Sequence, residues 1–424
     1  MNQDNACIKK VKVVVCNCLL VFCSVVGTLY MVEFALNWTQ PAPFNKRSFY
    51  ALLNGKVFDS RSKIEVVNEL RRNLDGKTVP QVSGFSFNQD QIKRIPTALA
   101  GVSAARTVFC NESGDWVTYQ SDRYGFNNSD QIWDENPDGV IVGDSFVHGA
   151  CVPRDQNISS HLNNLGQLRF LNLGVNGAGP YRMLAVLKEY AALLQPKFII
   201  WMFFEGNDLQ NVDDEEDHPI LRRYLEVGFR QGLPDRQDEL DQALAHKIDK
   251  ALDSSPSNEK KPQEGWEWVK YRIVLESLRR YIGTPTALRG LEARNSPKKE
   301  PEGHVLDRRL DSLVKILVEA ERVVSEWEGK IVFVYLPQYE RYIGNISDLP
   351  RPEVLHRVKR IGLPIIDMHE NFSNADIPLV NLFPFGMNGH YTSEGYKMVA
   401  RFIYQELGST VNVGVPAENS KERL

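Results

Sequence analysis

A serine follows a short apolar run in Val140-Ile-Val-Gly-Asp-Ser-Phe-Val147. A buried parallel strand ending at Gly143 would deliver the next side chains to the carboxyl edge of a sheet, where open α/β folds hold their ligands. A hydroxyl presented there can act as a nucleophile if a base takes its proton. Three further groups downstream suit acyl chemistry. Asn176-Gly177 offers a backbone N–H that a ligand can approach closely, because glycine has no side chain. Gly206-Asn207-Asp208 offers a side-chain amide, and Asn388-Gly-His-Tyr-Thr-Ser-Glu-Gly395 offers the imidazole of His390. Ester attack needs a base and donors aimed at the developing oxyanion. The N–H groups of Ser145 and Gly177 with the Asn207 amide would be the donors, and His390 the base. Each group alone has an ordinary reading: a Gly-Asn-Asp turn, an Asn-Gly hairpin dipeptide, a histidine capping a helix. Their joint placement at strand ends, in this order, carries the chemistry.

The elements that must position these groups are apolar runs alternating with helical patterns. Strands are expected at Gly139–Val142, Phe170–Leu173, Phe198–Phe203, Ile331–Leu336 and Leu363–Ile366, with helices at about 158–165, 181–194 and 393–407. Near-continuous apolar strands alternating with helices imply a parallel sheet covered on both faces. Between the third and fourth strands lies an insertion, about 209–308, opened by the acidic run Asp213–Asp217. Its charged stretches and the amphipathic run Tyr271–Tyr281 read as partly buried helices, and Trp266 and Trp268 sit among them. Leaving the sheet at its carboxyl edge, the insertion is placed to roof the site as a cap.

The net charge of −4 and the lack of a basic stripe argue against nucleic acid as a partner. Lys9, Lys10 and Lys12 precede a stretch, Val13 to Val32, that has no charged residue. About 20 apolar residues suffice to cross a bilayer as a helix. Lysines before the stretch predict an inside N-terminus and an outward-facing remainder. Tyr30-Met-Val-Glu-Phe34 is a poor cleavage site, which favours a retained single-pass anchor over a signal peptide. The chain then divides into a cytoplasmic 1–12, a transmembrane anchor 13–33, a membrane-proximal 34–121, the main domain 122–410 and a tail 411–424. Segment 34–121, with helical spacing over Ile64–Leu74, shows no chemical signal of its own. Only Cys110 and Cys151 could pair outside the N-terminal stretch; two free thiols are the ordinary reading, a disulfide would need an oxidising compartment, and the pairing stays open. Asn111, Asn157 and Asn345 fit the glycosylation sequon, which only a secretory eukaryotic host would use.

With these motifs in hand, the sequence resembles the SGNH hydrolases, also called the GDSL esterase/lipase family, from about Asp122 to Leu407 with the insertion excepted. Gly143-Asp-Ser-Phe146 matches the nucleophile block and Asn172-Leu-Gly-Val-Asn-Gly177 the glycine block. Gly206-Asn-Asp208 matches the asparagine block and Asn388–Gly395 the histidine block. The resemblance implies a flavodoxin-like three-layer α/β/α fold with a parallel five-stranded sheet. To it the chain adds the helical insertion after strand three and the N-terminal transmembrane helix. The resemblance further implies hydrolysis or transfer of acyl groups without metal or organic cofactor. It assigns Ser145 as nucleophile, His390 as base, and Ser145, Gly177 and Asn207 as the oxyanion hole.

One departure stands out. Family members commonly place an aspartate two or three residues before the histidine, where this chain has Asn388 and Met387. Three outcomes stay open. Asn388 serves as the third catalytic member through its carbonyl oxygen; or Asp367, Glu394 or a backbone carbonyl takes over; or the site binds without turning over. Two functions follow. One is an anchored, outward-facing serine esterase or O-acyltransferase acting on an acylated carbohydrate or other ester, with acetyl groups of envelope or exported polysaccharide preferred. The other is a catalytically weak SGNH-fold protein that binds carbohydrate or a partner.

Overall fold

The computed structural model describes residues 17, 19–32, 46–73, 77–82, 96–254, 302–344, 350–375 and 377–410. Residues 19–32 are helical and mostly exposed. Among the described residues no helix is long and apolar enough to cross a membrane. The rest of the expected anchor, 13–16, 18 and 33, lies outside the described residues, as do Trp266, Trp268 and Tyr271–Tyr281 of the insertion.

Ahead of the main sheet come helices α1 (Lys46–Leu53) and α2 (Lys63–Asn73) and a small sheet. Its strands are β1 (Thr78–Pro80), β2 (Arg106–Val108) and β3 (Thr118–Gln120), with β2 and β3 antiparallel. Asp122-Arg-Tyr-Gly-Phe126 is a turn, closed by the Phe126 carbonyl accepting from Asp122 N–H. The alternation expected downstream then unfolds as β4 (Gly139–Gly143), α3 (Ser145–His148), α4 (Ile158–Leu165), β5 (Phe170–Gly174) and α5 (Pro180–Val186). Helix α5 continues through a π turn at Leu187–Ala191 to Leu194. Next come β6 (Phe198–Phe204), α6 (Asp208–Glu216), α7 (Gln237–Ser254) and α8 (Glu302–Ser325). The chain closes with β7 (Lys330–Leu336), α9 (Arg351–Arg360), β8 (Ile365–Asp367) and α10 (Ser393–Thr410). The last strand starts two residues later than expected, just beyond Pro364.

Strands β4 to β8 form one parallel sheet in the order β5-β4-β6-β7-β8, the doubly wound flavodoxin-like order. Side chains alternate between its faces. Val140, Val142, Leu171, Leu173, Ile199 and Trp201 join the core that contains α5 and α8. Ile141, Phe170, Ile200, Met202, Val332 and Val334 join the core against α4 and α10. Both faces are covered, which is why the strands read as unbroken apolar runs rather than alternating ones.

The described part of the insertion is fused to the helical layer by buried polar groups. Lys188 Nζ donates to the carbonyls of Tyr224 and Glu226 and to Glu319. Glu189 accepts from Tyr224 Oη and Leu233 N–H. A buried charge left unpartnered is costly, so these pairs fix the segment from Tyr224 to Leu233 against the π turn that follows α5.

Candidate active site

The serine group is built by three adjacent strand ends. Asp144 caps α3 by accepting from Phe146 N–H at 2.9 Å, which turns the chain sharply and sets Ser145 at the top of β4. Its other oxygen lies 3.4 Å from Ser145 Oγ. Burial pushes the Asp144 carboxyl up to about 6, against the pull of the Phe146 N–H and the His390 charge. Gly177, after β5, has a φ of +70° with open space where a Cβ would stand, so its backbone faces outward unobstructed. Asn207, after β6, occupies the N-cap of α6 without capping it. Its side-chain Oδ1 is buried without a hydrogen-bond partner. These are the positions from which the three oxyanion donors were expected.

The histidine group comes from the other end of the chain. His390 Nε2 lies 2.9 Å from Ser145 Oγ, across 245 residues of sequence. The ring also packs on Phe146, with centroids 4.9 Å apart. Nδ1 lies 3.1 Å from Glu112 Oε1, and Glu112 Oε2 accepts the His390 backbone N–H at 2.7 Å. A carboxylate only accepts, so Nδ1 carries the proton and Nε2 is left to accept from the serine hydroxyl. Burial works to raise the Glu112 carboxyl; the His390 hydrogen bond and charge, with the charge of Arg47, outweigh it and hold it below the ordinary glutamate value.

Glu112 corrects two expectations. The third member is not Asn388, whose amide donates to Glu340. Nor is it Asp367, which pairs with Arg351, or Glu394, which pairs with Lys397. And segment 34–121 is not chemically silent, since it contributes the carboxylate. Glu112 sits at the tip of the β2–β3 hairpin. Asn111 shapes that tip, its Oδ1 accepting from Gly114 N–H and its Nδ2 donating to Asp59 O. Asn111 thus lacks a free amide for glycosylation, and Asn157 is fully buried as the cap of α4; Asn345 lies outside the described residues. In the sequence Glu112 carried no signal beyond being an acid near a cysteine.

Cys110 and Cys151, whose pairing the sequence left open, form a disulfide. It ties the hairpin to the turn after α3. Phe109 and Tyr119 pack on the His148 ring beside it, 4.5 and 5.1 Å between centroids. Burial drives His148 down to about 4, so it is neutral packing rather than a second base. The ligand atoms of Glu112, Cys151 and His390 lie within 4.8 Å of one another. Because the Cys151 sulfur is bonded to Cys110, it is no thiolate ligand, and the trio is the histidine pair beside a disulfide.

Fold and site together define a doubly wound α/β domain with a Ser–His–Glu hydrogen-bond chain at its carboxyl edge. No protein-family model and no curated protein matches the chain. Solved structures that resemble it include a protein assigned to the G-D-S-L family of lipolytic proteins from Desulfitobacterium hafniense, at 12% identity and a TM-score of 0.31, covering 63% of this chain and 98% of the other. An assigned acylhydrolase from Bacteroides fragilis matches at 14% identity and a TM-score of 0.33, covering 67% and 97%. The lipase/acylhydrolase from Enterococcus faecalis matches at 12% and 0.32, covering 64% and 95%. Likenesses at this level carry no argument about activity; the site does.

Proposed function

We propose that the protein is a serine esterase or O-acyltransferase. One observation carries the reading: Ser145 Oγ, His390 Nε2, His390 Nδ1 and Glu112 form a continuous chain of 2.9 and 3.1 Å contacts. Ser145 Oγ attacks the acyl carbonyl as its proton passes to Nε2. The N–H groups of Ser145 and Gly177 and the Asn207 amide receive the oxyanion. The tetrahedral intermediate collapses, the alcohol leaves with the proton from Nε2, and the acyl group stays on Ser145. Water or an acceptor hydroxyl, deprotonated by His390, then removes it. Glu112 keeps the imidazole in the right tautomer and stabilises its charged form.

Acetyl esters of envelope or exported carbohydrate are the substrate class we favour, with the domain facing outward from an N-terminal anchor. The uncharged stretch Val13–Val32 supports the anchor, and the Cys110–Cys151 bond supports an oxidising compartment. The alternative of a catalytically weak binding protein drew on Asn388; with a carboxylate on the imidazole, that support is gone.

The test is hydrolysis of a small activated acetyl ester together with labelling by a fluorophosphonate. Both are expected for the native chain and neither for Ser145→Ala. A native chain that neither turns over nor labels overturns the proposal. A panel of acylated sugars would then fix the acyl group and acceptor.

A further inference from the structure

The Glu112 carboxylate is met by a cation from a third part of the chain. Arg47, in the first turn of α1, places Nη1 3.4 Å from Glu112 Oε1 and donates through Nη2 to the Asn388 carbonyl at 2.8 Å. Asn388 is two residues before His390, so one planar guanidinium touches both the acid and the loop that carries the imidazole. The fit is close. A Cβ on Gly389 would stand 2.5 Å from Glu112 Oε2 and 2.9 Å from Arg47 Nη2, which only glycine avoids. The Glu112 side chain is 12% exposed and that of Arg47 25%. A partly exposed ion pair adds little stability by itself. A guanidinium is different from a point charge in geometry, because its fixed fork spans two acceptors at a set angle.

We propose that Arg47 is a positioning residue for the reaction, clamping Glu112 to the His390 loop so that acid, imidazole and serine stay in line. The proposal rests on the serine hydrolase reading and adds to it the helix α1, which holds no motif of that chemistry. Among the described residues, the His390 ring, the His390 backbone N–H and Arg47 face the carboxylate. The first two belong to the histidine itself. Arg47 alone of these three comes from outside the loop, and it joins the Glu112 carboxylate of the hairpin tip to the Asn388 carbonyl of the loop.

The experiment compares the native full chain with Arg47→Met, Arg47→Lys, Glu112→Gln and the double variants Arg47→Met/Glu112→Gln and Arg47→Lys/Glu112→Gln. Fluorophosphonate labelling rate and acetyl-ester hydrolysis are followed from pH 5 to 9, with thermal melts as a folding control. Arg47→Met is expected to lose about 10- to 100-fold, the scale of a small misplacement of a catalytic group. Its acid limb should move to higher pH, because Glu112 without that cation takes up a proton more readily. Beside Glu112→Gln the same change should cost less than about threefold, since coupled residues are not additive. Arg47→Lys should keep the native acid limb with a partial loss of rate. A native rate and profile in Arg47→Met, or an equal loss in both backgrounds, overturns the proposal. Should Arg47→Met not fold, Arg47→Lys decides, because a single ammonium does not span both acceptors: a several-fold loss that vanishes beside Glu112→Gln supports the clamp, and a native rate overturns it. A native chain that neither labels nor turns over defeats the hydrolase reading and this one together; a working native chain with an indifferent Arg47 defeats only this one.

Discussion

The two halves of the site are built in opposite ways. Ser145, Gly177 and Asn207 stand at the ends of three neighbouring strands whose ladders fix their spacing. His390 stands on a loop, and what fixes it comes from elsewhere: Glu112 from a hairpin tip 278 residues away and Arg47 from a helix still earlier. The placement of the serine and of the proposed donors is therefore a property of the sheet. The orientation of the base is a property of an added N-terminal layer, held down by a disulfide and by aromatic packing on His148. A sheet can be intact while the base is misaimed; the reverse cannot occur.

The comparison can be broken at several points. The largest effect is expected from Glu112→Gln, which keeps shape but removes the charge that sets the tautomer; turnover of the acetyl ester should fall by about 10² to 10⁴, with folding retained. A loss under threefold would mean that the histidine half is organised without its hairpin. On the serine half, Asn207→Ala should reduce turnover about 10²- to 10³-fold by removing one oxyanion donor, with fluorophosphonate labelling slowed in step. Replacing both Cys110 and Cys151 by Ala opens a crosslink between residues 41 apart. Urea denaturation should then report a loss of about 2–4 kcal/mol.

The halves should also carry opposite pH signatures. Asp144 is raised in the folded state, to about 6, so its contribution to stability is complete below its unfolded value and disappears as pH rises through 6. Glu112 is lowered, so its contribution is present above the unfolded glutamate value and disappears as pH falls through the folded one. Asp144→Asn, which keeps an acceptor for Phe146 N–H, should therefore stabilise by about 1–3 kcal/mol at pH 8 and far less at pH 4. Melts of Glu112→Gln should show the reverse, with a loss at pH 7 that fades near pH 3. The smallest effect is expected at Asn388. Its amide serves Glu340, so Asn388→Ala should leave turnover within about threefold; a large loss would return the third role to it.

How much of this was legible follows the same division. The strand pattern, the parallel sheet and the serine-side groups could be read because each is a local run: an apolar stretch, then a small polar motif. His390 could be read from its place before the last helix. Glu112 could not, because hairpin tips have no periodicity and an acid between Asn111 and Ser113 looks like any polar turn. The sequence pointed instead to Asn388, since local spacing is all that a motif records, and Asn388 is turned away to Glu340. Pairing of Cys110 with Cys151 was hidden for the same reason: nothing in a linear chain says that two lone cysteines meet, until the hairpin and the turn after α3 are folded together.

The disulfide has one more consequence. Residues 110 to 151 form a closed covalent ring, and both Glu112 and Ser145 lie on it. A single peptide cut anywhere between them would leave the two groups tethered through sulfur rather than set adrift. Circular permutation with new termini inside that ring would keep acid and nucleophile joined by a bond, while His390 would still have to find them by folding alone.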